Sequence, residues 1–265
     1  SGAFAGNLLV EGAPLTVTGA LGAGLGLFGL EGGAGLAVSD GGSVHFTGND
    51  GGFSAVFGAG VGSEALATVS GEGSQLVADG GVQIGAAGTA GLQVLDGATA
   101  SFGLVHGYSE VLLGLGYYGT GEGAAEGTGT LHVDGEGSAL HYAGGFNVLN
   151  GEALVSGGGL LQSHERDGDD AFWIDVVGMG IAATTEGGEG VSGTGEVTLV
   201  GPGTSWESVN ALLVGVGSVG TLSVLDGASA YFTGYAEFGS DSETLDANGN
   251  PISVAPRTPP RTQPR

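Results

Sequence analysis

A short repeat constrains this chain more than any other feature of its sequence. In each unit an alternating apolar run ends in a glycine turn, and a second apolar run ends in G-x-G or a close variant. The alternating runs begin near positions 8, 36, 66, 92, 131, 154, 197 and 222. A period of roughly 23–30 residues is typical of solenoids and arrays. The two longer intervals, 92 to 131 and 154 to 197, contain additional loop sequence.

Each repeat unit contains three strand-sized pieces and no helix-sized one. The unit at Gly195–Gly220 has β-type runs at Val197–Val200, Ser205–Val209 and Leu212–Val214. Apolar residues alternate with small or polar ones, as they do in half-buried strands. One unit cannot bury its apolar side, whereas stacked units share a continuous core. The repeat therefore predicts an all-β fold, a single right-handed parallel β-helix of about eight coils with loop insertions, because parallel crossovers are almost always right-handed.

The glycine content supports a β-helix because the glycines follow the repeat. Glycine accounts for 61 of 265 residues, with 7 prolines, and this share without a period would indicate disorder. Glycines that recur in phase with the strands instead indicate corners with positive φ angles. We expect one β-helical domain over residues 1–240. Residues 241–265 lose the repeat and become rich in proline and arginine, which predicts an extended linker or tail.

Polar, glycine-rich segments interrupt the repeat and predict loops that leave the solenoid. The first is the acidic segment Tyr117–Thr128. The second insertion, Gln162–Gly195, has a charged start at Gln162–Asp170 and a glycine-rich end at Thr184–Gly195. We expect these two ends to project from the rod. The apolar middle, Ala171–Gly180, should return to the wall of the solenoid as a strand.

The charge and the absence of cysteine exclude several classes of function. The formal net charge is −24, lysine is absent, and three of the four arginines lie in the last nine residues. Such a surface repels nucleic acid and anionic membranes. The apolar segment Gly19–Leu30 is too short to span a bilayer, so we expect no direct membrane insertion. Without cysteine the chain has neither disulfides nor thiol chemistry. No sequence motif calls for a cofactor.

Three segments carry the same motif, G-x-G-T-L-x-V-x-G-x-G-S followed by V-G-x-x-G-x-G. They are Gly129–Ser138 (GTLHVDGEGS), Gly195–Trp206 (GEVTLVGPGTSW) and Val214–Gly227 (VGVGSVGTLSVLDG). This pattern resembles the repeat shared by passenger domains of type V autotransporters and by PEP-CTERM-associated surface proteins, and the resemblance extends to about residue 240. It implies a β-helix that is secreted or displayed on the bacterial outer-membrane surface. It does not imply one activity, since such passengers include adhesins, self-aggregating proteins, proteases and esterases.

Few residues are candidates for a specific site. The loop aromatics Tyr117, Tyr118, Phe172 and Trp173 could stack on a ligand such as a neutral sugar. The acidic cluster with Asp167, Asp169 and Asp170 offers hard oxygen ligands for calcium but lacks the spacing of an EF-hand loop. The five histidines are scattered, and no pair has the i, i+4 spacing of a helical metal site. No set of residues matches a nucleophilic or paired-carboxylate active site, and we expect the protein not to be an enzyme.

The sequence leaves three functional hypotheses open. The first is a cell-surface or secreted module that acts in adhesion or self-association, with host or bacterial surface components or a second copy as its partner. The second is a carbohydrate-binding or carbohydrate-active β-helix, which a row of exposed carboxylates and aromatics on one face would favour. The third is an inert stalk that displays another domain.

Overall fold

The structure, a computed structural model, describes residues 8–12, 14–48, 53–104, 110–114, 127–165, 173–181, 191–216, 218–239 and 243–245. Every regular element in these ranges is a β-strand. The strands follow one another in groups of three, and each group forms one coil. The all-β, parallel β-helical fold predicted from the repeat is confirmed.

The strands are short, mostly three to seven residues, as the spacing of the glycines in the repeat requires. The first four coils contain β1 (Leu8–Val10), β2 (Pro14–Val17), β3 (Ala20–Ala23), β4 (Gly26–Phe28), β5 (Gly33–Val38), β6 (Ser43–Phe46), β7 (Phe53–Phe57), β8 (Glu64–Ser70), β9 (Gln75–Ala78), β10 (Gly81–Ile84), β11 (Thr89–Leu95) and β12 (Thr99–Phe102). The later coils contain β13 (Glu110–Leu113), β14 (Thr128–Asp134), β15 (Ala139–Tyr142), β16 (Gly145–Val148), β17 (Gly151–Ser156), β18 (Leu160–Ser163), β19 (Ile174–Ile181), β20 (Val191–Ser192), β21 (Gly195–Val200), β22 (Ser205–Ser208), β23 (Ala211–Val216), β24 (Gly220–Leu225), β25 (Ser229–Phe232), β26 (Ala236–Phe238) and β27 (Glu243–Leu245).

Stacking of equivalent strands builds three parallel sheets along the rod. The first sheet has the order β1-β4-β7-β10-β13-β16-β19-β23-β26, with β20 paired antiparallel to β19. The second has the order β2-β5-β8-β11-β14-β17-β21-β24-β27, and the third runs from β3 to β25. Eight strands in the third sheet and nine along each of the others make eight complete coils and the start of a ninth in the described residues.

The core is built from columns of equivalent side chains that point into the coils. One inward column of the second sheet is almost entirely valine, because each stacked strand offers the same β-branched residue at the same register position. Its members are Val17, Val38, Val69, Val94, Val133, Val155, Leu199 and Val224. All but Val224 are buried, and burying such a side chain contributes roughly 1.5–3 kcal/mol.

The corners between the second and third sheets explain the D-G and G-x-G-S motifs of the repeat. Asp40 and Gly41 both have positive φ angles, 55° and 73°, as a tight turn with two left-handed residues requires. The next coil has a G-x-G-S corner instead, and the buried hydroxyl of Ser74 accepts a hydrogen bond of 3.2 Å from the Gly41 N–H. Ser138 accepts an equivalent bond of 2.9 Å from Gly97. The two corner types therefore alternate and tie neighbouring coils together.

The first unit of the repeat has a different phase from the one predicted. We expected Leu8–Gly12 to be equivalent to the second-sheet strands, but Leu8–Val10 pairs with Gly26–Phe28 in the first sheet. Pro14–Val17 takes the place in the second sheet and pairs with β5. The reason is the apolar pattern, since Leu8–Val10 is continuously apolar, whereas Pro14–Val17 alternates and turns only Leu15 and Val17 towards the core.

The apolar middle of the second insertion returns to the wall of the rod as a strand, as predicted. It forms β19, which lies in the first sheet between β16 and β23. Gln162 and Ser163 belong to β18 of the third sheet, so the insertion begins a few residues later than the polar composition indicated. The other end that we expected to project, Thr184–Gly195, contains Val191–Ser192, which pairs with β19, and Gly195, which begins β21. Residues 117–126, 166–170 and 184–190 of the expected loops lie outside the described residues.

Candidate functional site

The residues selected from sequence fall mainly outside the described part of the chain. Tyr117, Tyr118 and Phe172 are not among the described residues, and neither are the calcium candidates Asp167, Asp169 and Asp170. Trp173 is described, is partly buried and directly precedes β19. Its carbonyl oxygen accepts a hydrogen bond of 3.3 Å from Ala211 in the next coil. Trp173 is thus held at a corner of the rod.

The outer face of the second sheet has a stretch without charge in its first four coils. The outward residues of this stretch occupy two register columns, and we call them together the neutral strip. They are Pro14, Gly35, Leu66 and Gly91 in one column, and Thr16, Ala37, Thr68 and Gln93 in the other. A shallow groove of about 580 Å³ runs along the strip, and the exposed carboxylate of Glu64 on β8 lines its edge. Leu66, one of the strip residues, is 47 % exposed and lines this groove.

The charged side chains lie around the neutral strip. At the corner beside it, exposed carboxylates project from four successive coils, at Asp40, Glu72, Asp96 and Glu136. No lysine or arginine occurs among the described residues, so no basic side chain there offsets this charge. A like-charged surface approaching the rod is therefore repelled least at the neutral strip.

Farther along the same face, two carboxylates stand side by side. Glu152 and Glu196 are register partners on β17 and β21, and both are exposed. They line a groove of about 420 Å³ whose walls include Thr130 and Thr221. Neighbouring parallel strands lie about 4.8 Å apart, so the two glutamates project from adjacent backbone positions. None of the residues lining this groove is aromatic.

Two histidines meet on the outer face of the third sheet. His141 points outward from β15, and His164 follows the end of β18 in the next coil. His164 Nε2 lies 3.1 Å from His141 Nδ1, and the ring centroids are 5.1 Å apart with the planes tilted by 51°. Burial lowers the pKa of His141, and the neighbouring His164 lowers it further, while a hydrogen bond to Gln162 acts in the opposite direction.

Sequence reasoning did not predict this histidine pair. The two residues are 23 positions apart, two more than the offset of 21 between the register partners His141 and Gln162. Residues one coil apart in sequence become neighbours on the same face. A search for helical i, i+4 spacing could not detect a pair of this kind.

A buried carboxylate lies inside the coils, where the repeat places apolar residues. Asp175 on β19 is fully buried and pairs in register with Leu212. Its Oδ2 atom accepts hydrogen bonds from the Tyr142 hydroxyl at 2.9 Å and the Ser208 hydroxyl at 2.5 Å. Its Oδ1 atom accepts bonds of 2.9 Å from the Phe146 N–H and the Asn210 side-chain amide. All four donors come from different strands or corners, so the carboxylate connects three consecutive coils, those that contain β15, β16 and β19.

The environment of Asp175 indicates a structural role. Burial raises the pKa of Asp175 from its ordinary value of 3.8 to about 6, although its four hydrogen bonds act in the opposite direction. Trp206, also fully buried, donates its indole N–H to the Tyr142 hydroxyl at 2.9 Å and extends the network. Because Asp175, Tyr142 and Trp206 are fully enclosed, they cannot contact a dissolved substrate without opening of the coils.

A second carboxylate with a raised pKa lies on the outer side of the first sheet. Burial raises the pKa of Glu110, and a hydrogen bond to the Asn147 side chain acts in the opposite direction. Around it, outward residues of the first sheet form a small apolar cluster that includes Val56, Leu112 and Val176. This cluster is separate from the main core inside the coils.

Comparison with protein-family models, curated proteins and solved structures found no match to this chain. In the described part of the chain, no helix is long and apolar enough to cross a membrane. The described residues also contain no group of three or more histidine, aspartate and glutamate side chains placed to hold a metal ion.

Proposed function

We propose that this β-helix acts by surface contact, as a secreted or cell-surface module in adhesion or self-association, and not by catalysis. The observation that carries the proposal is the neutral strip on the outer face of the second sheet. On a chain with a net charge of −24, an uncharged flat strip beside a row of carboxylates is the part of the surface where another surface approaches most easily.

The size of the neutral strip favours weak and repeated contacts. The strip spans four coils, so its length along the rod is roughly 15–20 Å at about 4.8 Å per coil. Two columns of outward residues, each about 6.6 Å wide along the strand, give the strip an area of roughly 200–300 Å². This is much less than the roughly 800 Å² per partner of a stable protein–protein interface. Many copies on one cell surface would multiply such contacts through their effective concentration.

The charge distribution also predicts how contact depends on salt. At low ionic strength the carboxylates around the neutral strip repel bacterial surfaces and other copies of the chain. At physiological ionic strength the Debye length falls to about 8 Å, so repulsion between exposed carboxylates on opposing surfaces is largely screened. We therefore expect contact to strengthen with added salt, and divalent cations to act at lower concentrations than sodium.

The test is to display the chain on non-adherent cells and to follow sedimentation and surface attachment with increasing sodium or calcium chloride. We expect both to rise with salt. The double variant Thr68→Glu with Gln93→Glu places charge in the neutral strip and should abolish the gain. The control, Thr198→Glu with Ser223→Glu, adds the same charge in the same column beyond the strip. It should retain the gain in sedimentation and attachment with salt. Equal behaviour of the two variants, or no gain with the parent chain, would reject the proposal.

A carbohydrate-directed function is the alternative, and the groove at Glu152 and Glu196 favours it. Adjacent carboxylates flanked by threonine hydroxyls can hydrogen-bond sugar hydroxyls, and two carboxyl groups are the catalytic pair of most glycoside hydrolases. Glycan binding or turnover by the purified chain that is lost on Glu152→Gln and Glu196→Gln would support this alternative. The absence of aromatic side chains from the groove is the reason we place it second.

A further inference from the structure

The histidine pair on the third sheet has the geometry of a two-nitrogen chelate. A metal bound by imidazole lies about 2.0–2.1 Å from each nitrogen. With His141 Nδ1 and His164 Nε2 separated by 3.1 Å, a metal at that distance from both nitrogens would subtend an angle of roughly 95°. This nitrogen–metal–nitrogen angle is close to the angle of about 90° between neighbouring ligands in square-planar and octahedral coordination.

The neighbours of His141 orient its imidazole. His141 and Gln162 are register partners, and their side chains share a hydrogen bond. Because Nδ1 faces His164 Nε2, the hydrogen bond with Gln162 falls to the Nε2 atom of His141. The proton shared between the two imidazoles is released when a metal binds both nitrogens. Gln162 in turn donates to Glu207 Oε2 at 3.0 Å. A ligating histidine that donates its other N–H to an oxygen acceptor is the usual arrangement around bound metals.

We propose that His141 and His164 form a bidentate surface site for a divalent transition metal, with copper(II) bound most tightly. Imidazole nitrogen suits copper, nickel and zinc, and copper(II) leads the general order of affinity. Water molecules complete the coordination shell, since the described residues bring no third histidine or carboxylate close enough. Hard cations such as calcium and magnesium require oxygen ligands and are excluded from this site.

The surrounding charge favours a cation at this position. The described residues contain no lysine or arginine, and Glu207 lies on the strand next to Gln162. Among the described residues, a divalent ion approaching the third sheet therefore meets carboxylates and no basic side chain. Arg166 lies outside the described residues. This site is independent of the contact function proposed for the second sheet, because it lies on another face of the rod.

The test titrates the purified, untagged chain with copper(II), nickel(II), zinc(II) and calcium chlorides, using calorimetry for affinity and stoichiometry. We expect one copper ion per chain, weaker nickel and zinc binding, and no calcium at the histidines. His141→Ala and His164→Ala should each weaken copper binding at least about tenfold, because each leaves only one imidazole ligand. His132→Ala, on the second sheet, is the matched control and should bind copper as the parent does.

Electron paramagnetic resonance of the copper-loaded chain provides a second readout that does not depend on affinity. The spectrum should show coordination by two imidazole nitrogens in the parent and by one in either single variant. Both histidines are at the surface, so circular dichroism of the variants should match the parent. Unchanged copper affinity in His141→Ala and His164→Ala, or a parent spectrum without two nitrogen ligands, would overturn the proposal.

Discussion

Replacing the buried Asp175 by asparagine should change how the stability of the rod depends on pH. Asparagine has nearly the same shape, and its amide can donate to the oxygens of Tyr142 and Ser208 where the carboxylate accepts from them. The substitution therefore mimics a permanently protonated Asp175. It keeps the packing of the network and removes its charge.

The size and sign of the effect follow from the raised pKa. Burial raises the pKa of Asp175 from 3.8 to about 6 in the folded state, so the folded protein holds this proton more tightly than the unfolded chain. Ionisation consequently destabilises the folded state, and stability from this group falls as the pH rises from about 4 to about 6. A difference of about two pH units corresponds to about 3 kcal/mol of unfolding free energy.

The assay is urea denaturation of the parent chain and Asp175→Asn at several pH values between 4 and 7. The other carboxylates are common to both proteins, so the difference between the two unfolding free energies isolates Asp175. We expect that difference to shift by about 3 kcal/mol in favour of Asp175→Asn between pH 4 and pH 7. Parallel curves, or a shift in favour of the parent, would refute the reasoning and show that the four hydrogen bonds outweigh burial.

Two further predictions concern the packing of the coils. Gly195→Ala should lower the unfolding free energy by about 1–3 kcal/mol or more, because a Cβ atom there would overlap the Val148 carbonyl oxygen. Gly33→Ala, where a Cβ meets open space, should change it by less than about 0.5 kcal/mol. Leu92→Ala, at a fully buried inward position, should cost about 2–5 kcal/mol, whereas the outward Leu154→Ala should cost less than about 1 kcal/mol. Denaturant titration measures the unfolding free energy of all four variants. Equal losses for the two glycine variants would contradict the close contact at Gly195. Equal losses for the two leucine variants would contradict their assigned inward and outward faces.

The repeat contained most of the information needed for the fold. The regular return of an alternating run and glycine corners predicted three short strands per coil and about eight coils, because only stacking can bury such runs. The phase of the first coil was not predictable from the same rule. Leu8–Val10 is followed by a glycine turn as the second-sheet runs are, but its continuous apolar character fits its pairing with Gly26–Phe28 in the first sheet.

The site features were less predictable because they depend on contacts between coils. The meeting of His141 with His164 requires the register of β15 and β18, which composition does not give. Asp175 occupies a position where the pattern predicts an apolar residue. Its donors are brought together only when three coils stack. The neutral strip likewise emerges only after each outward residue is assigned to its register column.

The register of the stacked coils is the central claim, and engineered disulfides test it most directly. The chain has no cysteine, so two can be introduced without interference. Thr68 and Gln93 are register partners on adjacent strands, about 4.8 Å apart, and Thr68→Cys with Gln93→Cys should close a disulfide readily. Thr68→Cys with His132→Cys spans two coils, or roughly 9–10 Å, and should stay reduced within one chain. Mass spectrometry after mild oxidation distinguishes the outcomes, and closure of the second pair with the first left reduced would contradict the stacking order.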